Sequence, residues 1–199
     1  MILYSSLPSP FGRKVKIAAA LLDLSDRLEI VPTNTADPAD VIRLKNPLGK
    51  IPALVLEDGQ IIFDSPVILE YLDHLVGGDK IVPRDPARRF RVLTEAALAD
   101  GIMDAAILQV YETRLRAEGK QDAGWLALQA GKVERALAAF EAAPPEGSRS
   151  VADIGLACAL GYLDLRFAGA WRETKPNLAA WLDRFAAEVP AFETTRCKS

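Results

Sequence analysis

The sequence has few of the residues that metal and redox sites need. It contains one histidine, His74, and two cysteines, Cys158 and Cys197. The cysteines form no CxxC pair, which argues against a zinc site and against a two-cysteine redox site. His74 falls late in a helical pattern, so a surface or helix-end role is favoured over a Ser-His-Asp triad or a histidine metal site. We therefore expect no metal.

The sequence also lacks a long apolar run and an excess of one charge. No apolar stretch reaches the roughly 18 residues that a membrane span needs, and the start, MILYSSLPSPFGRK, does not follow the order of a signal peptide. Its 24 basic and 27 acidic residues are interspersed, so no basic stripe indicates nucleic acid or a membrane surface. The expectation is a soluble cytoplasmic protein that binds neither.

The first 76 residues alternate between strand and helix patterns. Residues 1–6 and 28–33 have the composition of short strands, and Asp58-Gly59 between two apolar runs predicts a hairpin. Apolar residues at helical spacing predict helices after each Ser-Pro pair, and a shorter helix is expected before Pro47. The resulting order, β-α-β-α-β-β-α, predicts a compact α/β unit with a mixed sheet.

Everything after a Gly- and Pro-containing linker reads as helical. Helices are predicted at about 86–118, 122–142, 151–167 and 176–188. The third is apolar nearly all round, so it should be the buried centre of this part, and Ser150 to Asp153 has the spacing of a capping box. We predict an N-terminal domain at 1–76, a linker at 77–85 and an all-helical domain at 86–199.

Two of the predicted helices open in the same way, with Ser9-Pro10 and Ser65-Pro66. Serine is a preferred N-cap and proline is favoured at the next position, so one interpretation is that both serines only cap their helices. Helix N-termini also bind anions. The alternative that both helix starts face one anionic ligand therefore stays open at this point.

Four segments, in this order and spacing, resemble the glutathione S-transferase superfamily over nearly the whole chain. They are Ser9-Pro10-Phe11, NPLGKIP at 46–52, Asp64-Ser65-Pro66 and the capping box at 150–153. The pattern is most similar to bacterial members with a serine or cysteine before Pro-Phe, akin to the theta and omega classes. The resemblance implies a thioredoxin-like α/β N-terminal domain followed by an all-α C-terminal domain.

The resemblance implies glutathione as co-substrate, with Ser9 as the catalytic residue. A hydroxyl that donates to the sulfur beside a helix N-terminus would lower the thiol pKa from its ordinary value of about 8.5. Tyr4, Ser5 and Ser6 are rival hydroxyls near the end of the first strand. The other implied glutathione contacts are Phe11, Lys50 for the glycine carboxylate, Ile51 and a cis Pro52 for the peptide, Asp64 for the α-ammonium, and Ser65 for the α-carboxylate.

By the same resemblance, the chain is expected to be a detoxifying transferase that attacks an apolar electrophile or a peroxide. Candidates for the electrophile pocket are Phe11, Met103, Ile107 and Tyr111, with Trp171 ranked lower. A cysteine-type thiol transferase is disfavoured because serine cannot form a mixed disulfide. A non-catalytic binding or assembly module, and a glutathione-dependent isomerase or dehalogenase, remain alternatives. A homodimer is expected, with the third helix and the long helix after the linker at its interface.

Overall fold

The computed structural model describes residues 1–147 and 149–197. Its strands form one mixed sheet in the order β2-β1-β3-β4. The central strand β1 pairs in parallel with β2, with Ile2 opposite Glu29, and antiparallel with β3, with Leu3 opposite Leu54. β3 and β4 form the predicted hairpin. The strands are β1 Ile2–Ser5, β2 Glu29–Pro32, β3 Ala53–Val55 and β4 Ile61–Ile62.

The helices follow the predicted order, with one addition at the end of the chain. They are α1 Pro10–Leu21, α2 Ile42–Lys45, α3 Ser65–Leu75, α4 Pro86–Leu115, α5 Ala123–Ala142, α6 Val151–Phe167, α7 Pro176–Glu188 and α8 Ala191–Thr194. The sequence patterns did not predict α8 or the 3-10 turns at 25–27, 118–120 and 170–173. These segments are too short for a helical period to emerge. None of the helices in the described residues is long and apolar enough to span a bilayer.

Helix α6 is the centre of the helical part, as its all-round apolar pattern predicted. Its first ten residues are all buried. The capping box is present: Ser150 Oγ accepts from the Asp153 N–H at 3.3 Å, and the Asp153 carboxylate accepts from the Ser150 N–H at 2.7 Å. Contacts with both α1 and α4 place α6 against the sheet unit and the long helix. The chain is thus a thioredoxin-like domain followed by an all-α domain; the limits 1–76, 77–85 and 86–199 stay a prediction.

A buried carboxylate holds the segment that joins the two parts. Asp73, in the last turn of α3, is 4% exposed. One oxygen accepts from the N–H groups of Lys80 and Ile81 at 2.9 and 2.8 Å, and the other accepts from the Asp79 N–H at 3.0 Å. The Ile81 carbonyl in turn accepts from the Val151 N–H at 3.0 Å. Asp73 therefore connects the end of α3 to the start of α6.

Asp73→Asn should lower the free energy of unfolding by about 1–2 kcal/mol, because an amide NH2 cannot accept and one buried N–H loses its partner. Urea denaturation at neutral pH measures this difference. Asp58→Asn, in the exposed hairpin turn, is the control and should change stability by less than about 0.5 kcal/mol. Equal stability of the two variants would contradict the role given to Asp73.

Candidate functional site

Ser9 caps α1 and borders a cavity. Its backbone is extended, and Ser9 Oγ accepts from the Gly12 N–H at 3.2 Å. That bond uses a lone pair, so the hydroxyl proton is available to another acceptor. Ser9 lines a cavity of about 490 Å³ that is bounded by the loop before α1, by α6 and α7, and by the end of the chain. Capping and donation to a ligand are thus compatible at this residue.

The rival hydroxyls near the end of β1 are placed differently. Tyr4 is 9% exposed and belongs to a small apolar cluster on the sheet. Ser5 is 1% exposed and lies tight against α1, since a Cβ on Gly12 would come within 2.0 Å of its Oγ. Among these rivals and Ser9, only Ser9 lines the cavity.

The second Ser-Pro pair does not repeat the first, and the interpretation of Ser65 as a helix cap does not hold. Asp64 is the N-cap of α3, and its carboxylate accepts from the Ser65 N–H. Ser65 and Pro66 are already helical, one position further in than Ser9 and Pro10. Ser65 is fully buried, and its Oγ accepts from Lys14 Nζ at 3.4 Å.

A group of charges surrounds the start of α3. Lys14 is 1% exposed, and its Nζ lies 2.5 Å from Asp100 Oδ1 on α4. Burial raises the pKa of Asp100, and the Lys14 ammonium offsets this only in part. One turn later, partial burial raises the pKa of Asp104, with further contributions from the carboxylates of Asp100 and Asp64 and opposition from Lys50. Lys14, Ser65 and Asp100 are thus in contact beside the start of α3, and the assignment of Lys50, Asp64 and Ser65 to one ligand site stays a prediction.

Sequence reasoning missed three members of this group: Lys14, Asp100 and Asp104. In the sequence, Lys14 lies off the apolar face of its helix, and a lone lysine gives no sign that its partner is a carboxylate about 86 positions away. The four-residue spacing of Asp100 and Asp104 places them on one face of α4. This repeated aspartate was the sequence signal that could have indicated Asp100 and Asp104.

The segment NPLGKIP forms a braced loop in front of β3. Asn46 is 2% exposed; its Nδ2 donates to the Lys50 carbonyl at 2.9 Å, and its Oδ1 accepts from the Leu48 N–H at 3.0 Å. Gly49 has a φ of +61°, where glycine is favoured. The Ile51–Pro52 peptide bond is cis, as the resemblance implied.

The residues proposed for the electrophile do not line the cavity at Ser9. Met103 is fully buried in the core, Ile107 is half-buried against it, and Tyr111 is 45% exposed. Phe11 also packs partly buried against the core. The cavity uses the second half of α6 with α7 and α8 instead. The sequence patterns read α6 as core throughout and did not predict α8, so this wall was not anticipated.

The cavity wall is partly charged rather than simply apolar. Arg13, Arg172 and Arg196 line it, together with Asp164, Asp183 and Glu193. Arg172 donates to both Asp164 oxygens, at 3.0 and 2.6 Å, and these bonds raise its pKa. The cavity beside Ser9 is therefore not wholly apolar, and the apolar electrophile stays a prediction.

Both cysteines border the same cavity but differ in burial. Cys158 is fully buried, and burial raises its pKa to about 11. Cys197 is half-buried near the end of the chain. At pH 8 a thiol of pKa about 11 is only about 0.1% thiolate, and the thiolate is the reactive form.

A thiol reagent at pH 8 is expected to modify Cys197 readily and Cys158 only after unfolding. Mass spectrometry of tryptic peptides would locate the label. Cys197→Ser should abolish fast labelling of the native protein and leave one reactive thiol in denaturant. Fast labelling of Cys158 in the native protein would contradict the inert thiol.

Two family descriptions match the chain: "Glutathione S-transferase, N-terminal domain" over residues 8–75 and "Glutathione S-transferase, C-terminal domain" over residues 123–184. An Escherichia coli K12 relative, the uncharacterized GST-like protein YibF, is 37% identical over 89% of this chain and 90% of its own. A maleylacetoacetate isomerase of Pseudomonas aeruginosa is 33% identical, over 49% of this chain and 48% of its own.

Two solved structures of family members match this chain over its full length. A glutathione transferase family member from Pseudomonas fluorescens Pf-5, with bound glutathione, is 41% identical with a TM-score of 0.91, covering 100% of this chain and 99% of that one. A structure of a family member from the same organism, with bound S-(propanoic acid)-glutathione, is 42% identical with a TM-score of 0.90, covering 100% of both chains.

Proposed function

Because the chain belongs to the glutathione S-transferase family, we propose that it binds glutathione between the start of α3 and Ser9 and uses the thiolate as a nucleophile. The observation that carries this proposal is the hydrogen bond that Ser9 accepts, together with its position beside the cavity. Its oxygen caps α1 with a lone pair while the residue borders an open cavity. The hydroxyl can therefore donate its proton to a sulfur anion at the positive end of α1.

The reaction follows from a lowered thiol pKa. The thiol proton leaves to solvent, and the Ser9 hydroxyl stabilises the thiolate that remains. The sulfur forms a bond to an electrophilic carbon, and the electron pair of the broken bond departs with the leaving group, or moves to the neighbouring carbon, which takes up a proton. With a hydroperoxide, two glutathione molecules become one disulfide while the peroxide becomes an alcohol and water.

The charges around α3 suit the γ-glutamyl end of glutathione. Asp64, Asp100 and Asp104 supply negative potential for its α-ammonium. The start of α3, with Lys14 behind the Ser65 hydroxyl, supplies positive potential for its α-carboxylate. The exposed Lys50 is assigned to the glycine carboxylate, and the backbone at the cis Ile51–Pro52 bond is assigned to the glutathione peptide.

The relative with bound S-(propanoic acid)-glutathione supports a second substrate that becomes attached to sulfur. In this chain, the cavity beside Ser9 has the volume for such a group. Glutathione-dependent isomerisation is the second candidate, supported by the isomerase relatives. It shares the thiolate and differs in returning glutathione unchanged.

The experiment that tests the proposed function combines binding with turnover. Calorimetry should show glutathione binding below millimolar concentration, and thiol consumption should be observed with an activated alkene or an organic hydroperoxide. Asp64→Asn should weaken binding, whereas Ser9→Ala should mainly slow turnover. Absence of binding at millimolar glutathione would contradict the enzyme. Binding with no turnover on any electrophile or isomerisable acid would favour a non-catalytic module.

We also propose that the protein is a homodimer that uses α3 and α4. Val67 on α3 and Phe90 on α4 are 52% and 67% exposed. An ion pair of 3.0 Å between Glu70 and Arg89 links these two helices close to both residues. Exposed apolar side chains that share a surface favour association. Sedimentation should show a dimer at micromolar concentration, and a monomer would contradict it. Cytoplasmic location and a detoxification role stay predictions.

A further inference from the structure

Contacts with α6 and with residues 192–195 hold the Arg13 guanidinium in the cavity wall. Arg13 follows the N-cap Ser9 by four residues, and both residues line the same cavity. The Arg13 guanidinium lies 4.1 Å from the ring centroid of Phe192. It donates to the Phe192 carbonyl and, at 3.3 Å, to Thr195 Oγ1.

Gly161 on α6 leaves the space that the Arg13 guanidinium occupies. A Cβ at position 161 would lie 2.5 Å from Arg13 Nη1, so any larger residue there would displace the guanidinium. Arg13 is only 6% exposed, yet it is among the residues that line the cavity. The guanidinium is therefore held in one orientation at the cavity surface, which reduces the entropy lost when a ligand binds it.

The three arginines of the cavity differ in their partners. Arg172 is bonded to both oxygens of Asp164, and Arg196 lies 3.4 Å from Glu193. Arg13 has no carboxylate within 4.0 Å among residues 1–147 and 149–197, and its acceptors there are a carbonyl and a hydroxyl. Burial lowers the pKa of Arg13, but an arginine stays charged in proteins. Glu193 and Asp164 attract the Arg13 guanidinium only at longer range, so no carboxylate is in direct contact with this buried cation, and a ligand carboxylate would supply that contact.

We propose that Arg13 binds a carboxylate of the second substrate, so that the protein prefers acid-bearing electrophiles to neutral ones of the same shape. This inference rests on the proposed function, because it places the carboxylate within reach of a thiolate held by Ser9. A guanidinium pairs with a carboxylate through two parallel N–H donors, which fixes both position and direction. It also offsets the repulsion between the two anions, which would otherwise oppose their approach.

The bonding change in such a reaction is a simple addition. For an α,β-unsaturated acid, the thiolate sulfur bonds to the β-carbon and the carbon–carbon π bond breaks. Its electron pair moves to the α-carbon, which takes a proton from water and restores the count of protons lost by the thiol. The carboxylate stays intact throughout and remains on Arg13.

The test compares two glutathione conjugates that have no thiol: S-(2-carboxyethyl)glutathione and its neutral isostere S-(2-carbamoylethyl)glutathione. Calorimetry on the full-length protein should show that the acid binds roughly tenfold more tightly, as a charge-assisted pair in a partly buried site would give. Arg13→Met should reduce the preference to within about twofold, and Arg13→Lys should keep part of it. Affinity for glutathione itself should change little.

Two further variants separate binding from folding. Gly161→Ala keeps the charge of Arg13 but displaces it, so the preference should fall while glutathione still binds. Arg196→Gln removes another arginine of the same cavity and should leave the preference unchanged. Circular dichroism and a thermal melt establish that each variant is folded.

Several results would overturn the proposal: equal affinity of the wild-type protein for the two conjugates, a preference that survives both Arg13→Met and Gly161→Ala, or its loss in Arg196→Gln. If glutathione binds and the two conjugates bind equally, only the role of Arg13 fails. If neither glutathione nor a conjugate binds, the proposed function fails as well.

Discussion

Replacing Ser9 with alanine is expected to lower glutathione turnover by roughly a hundredfold, the usual cost of removing one donor to a developing or resting anion in an active site. In the proposed mechanism the hydroxyl stabilises the thiolate, and the α1 N-terminus alone would leave the thiol pKa closer to its ordinary value. Glutathione binding should change by less than about threefold, because the proposed site has most of its contacts at α3 and at the loop before β3. Steady-state kinetics over a range of pH would separate these effects, with the acid limb of the profile moving to higher pH in the variant.

Controls distinguish the chemistry of Ser9 from its capping role. Loss of the cap should by itself lower stability by about 1 kcal/mol. Ser150→Ala removes a second serine N-cap, at α6, and should lower stability by a similar amount without moving the pH profile. Ser9→Thr keeps a hydroxyl and should recover most of the activity. Full activity in Ser9→Ala would show that another group activates the thiol.

Lys14→Met is expected to lower the free energy of unfolding at pH 7 by about 3 kcal/mol. The change leaves the Asp100 carboxylate, 17% exposed, without the ammonium that lies 2.5 Å away, and removing one partner of a buried ion pair is strongly destabilising. The variant should also bind glutathione less tightly, since the Ser65 hydroxyl loses its buried donor. Urea denaturation and calorimetry measure the two effects.

The loss of stability in Lys14→Met should shrink as the pH falls. Burial already raises the pKa of Asp100 above its ordinary value, and removal of Lys14 raises it further. A carboxyl whose folded pKa exceeds its unfolded pKa favours the folded state below that value, so the variant gains relative stability on acidification. Lys14→Met with Asp100→Asn should recover much of the loss at pH 7. Arg91→Met, at an exposed pair with Glu95, should cost less than about 0.5 kcal/mol. A pH-independent loss would contradict an ionised Asp100.

The order of strands and helices was predictable because the local sequence patterns that specify them are strong. The apolar start of β1, the hairpin at Asp58-Gly59 and the capping box at Ser150 are each local signals, and the structure contains all three elements. The spacing of apolar residues predicted α4 to α7 to within a few residues of their observed ends. The resemblance added the cis bond before Pro52, which no local pattern encodes.

The site was harder to predict because it depends on pairs far apart in sequence. Lys14 meets Asp100, and Arg13 meets Phe192 and Thr195, only after α1 has packed against α4, α6 and α8. In the sequence, both basic residues lie off the apolar face of α1 and read as solvated charges. Asp64 rather than Ser65 caps α3, because a carboxylate one residue earlier can serve the same N–H groups. The position of the cavity could not be predicted, because α8 forms part of its wall and is too short to be recognised from the sequence.

The most direct test of the central claim is the number of protons released when glutathione binds. Calorimetric titration near pH 7, repeated in two buffers of different ionisation enthalpy, counts them. Our account predicts that close to one proton is released per glutathione bound by the wild-type protein, and clearly less by Ser9→Ala. Tight binding without proton release would mean that the site holds glutathione as a thiol, and it would contradict the proposal that Ser9 stabilises a thiolate.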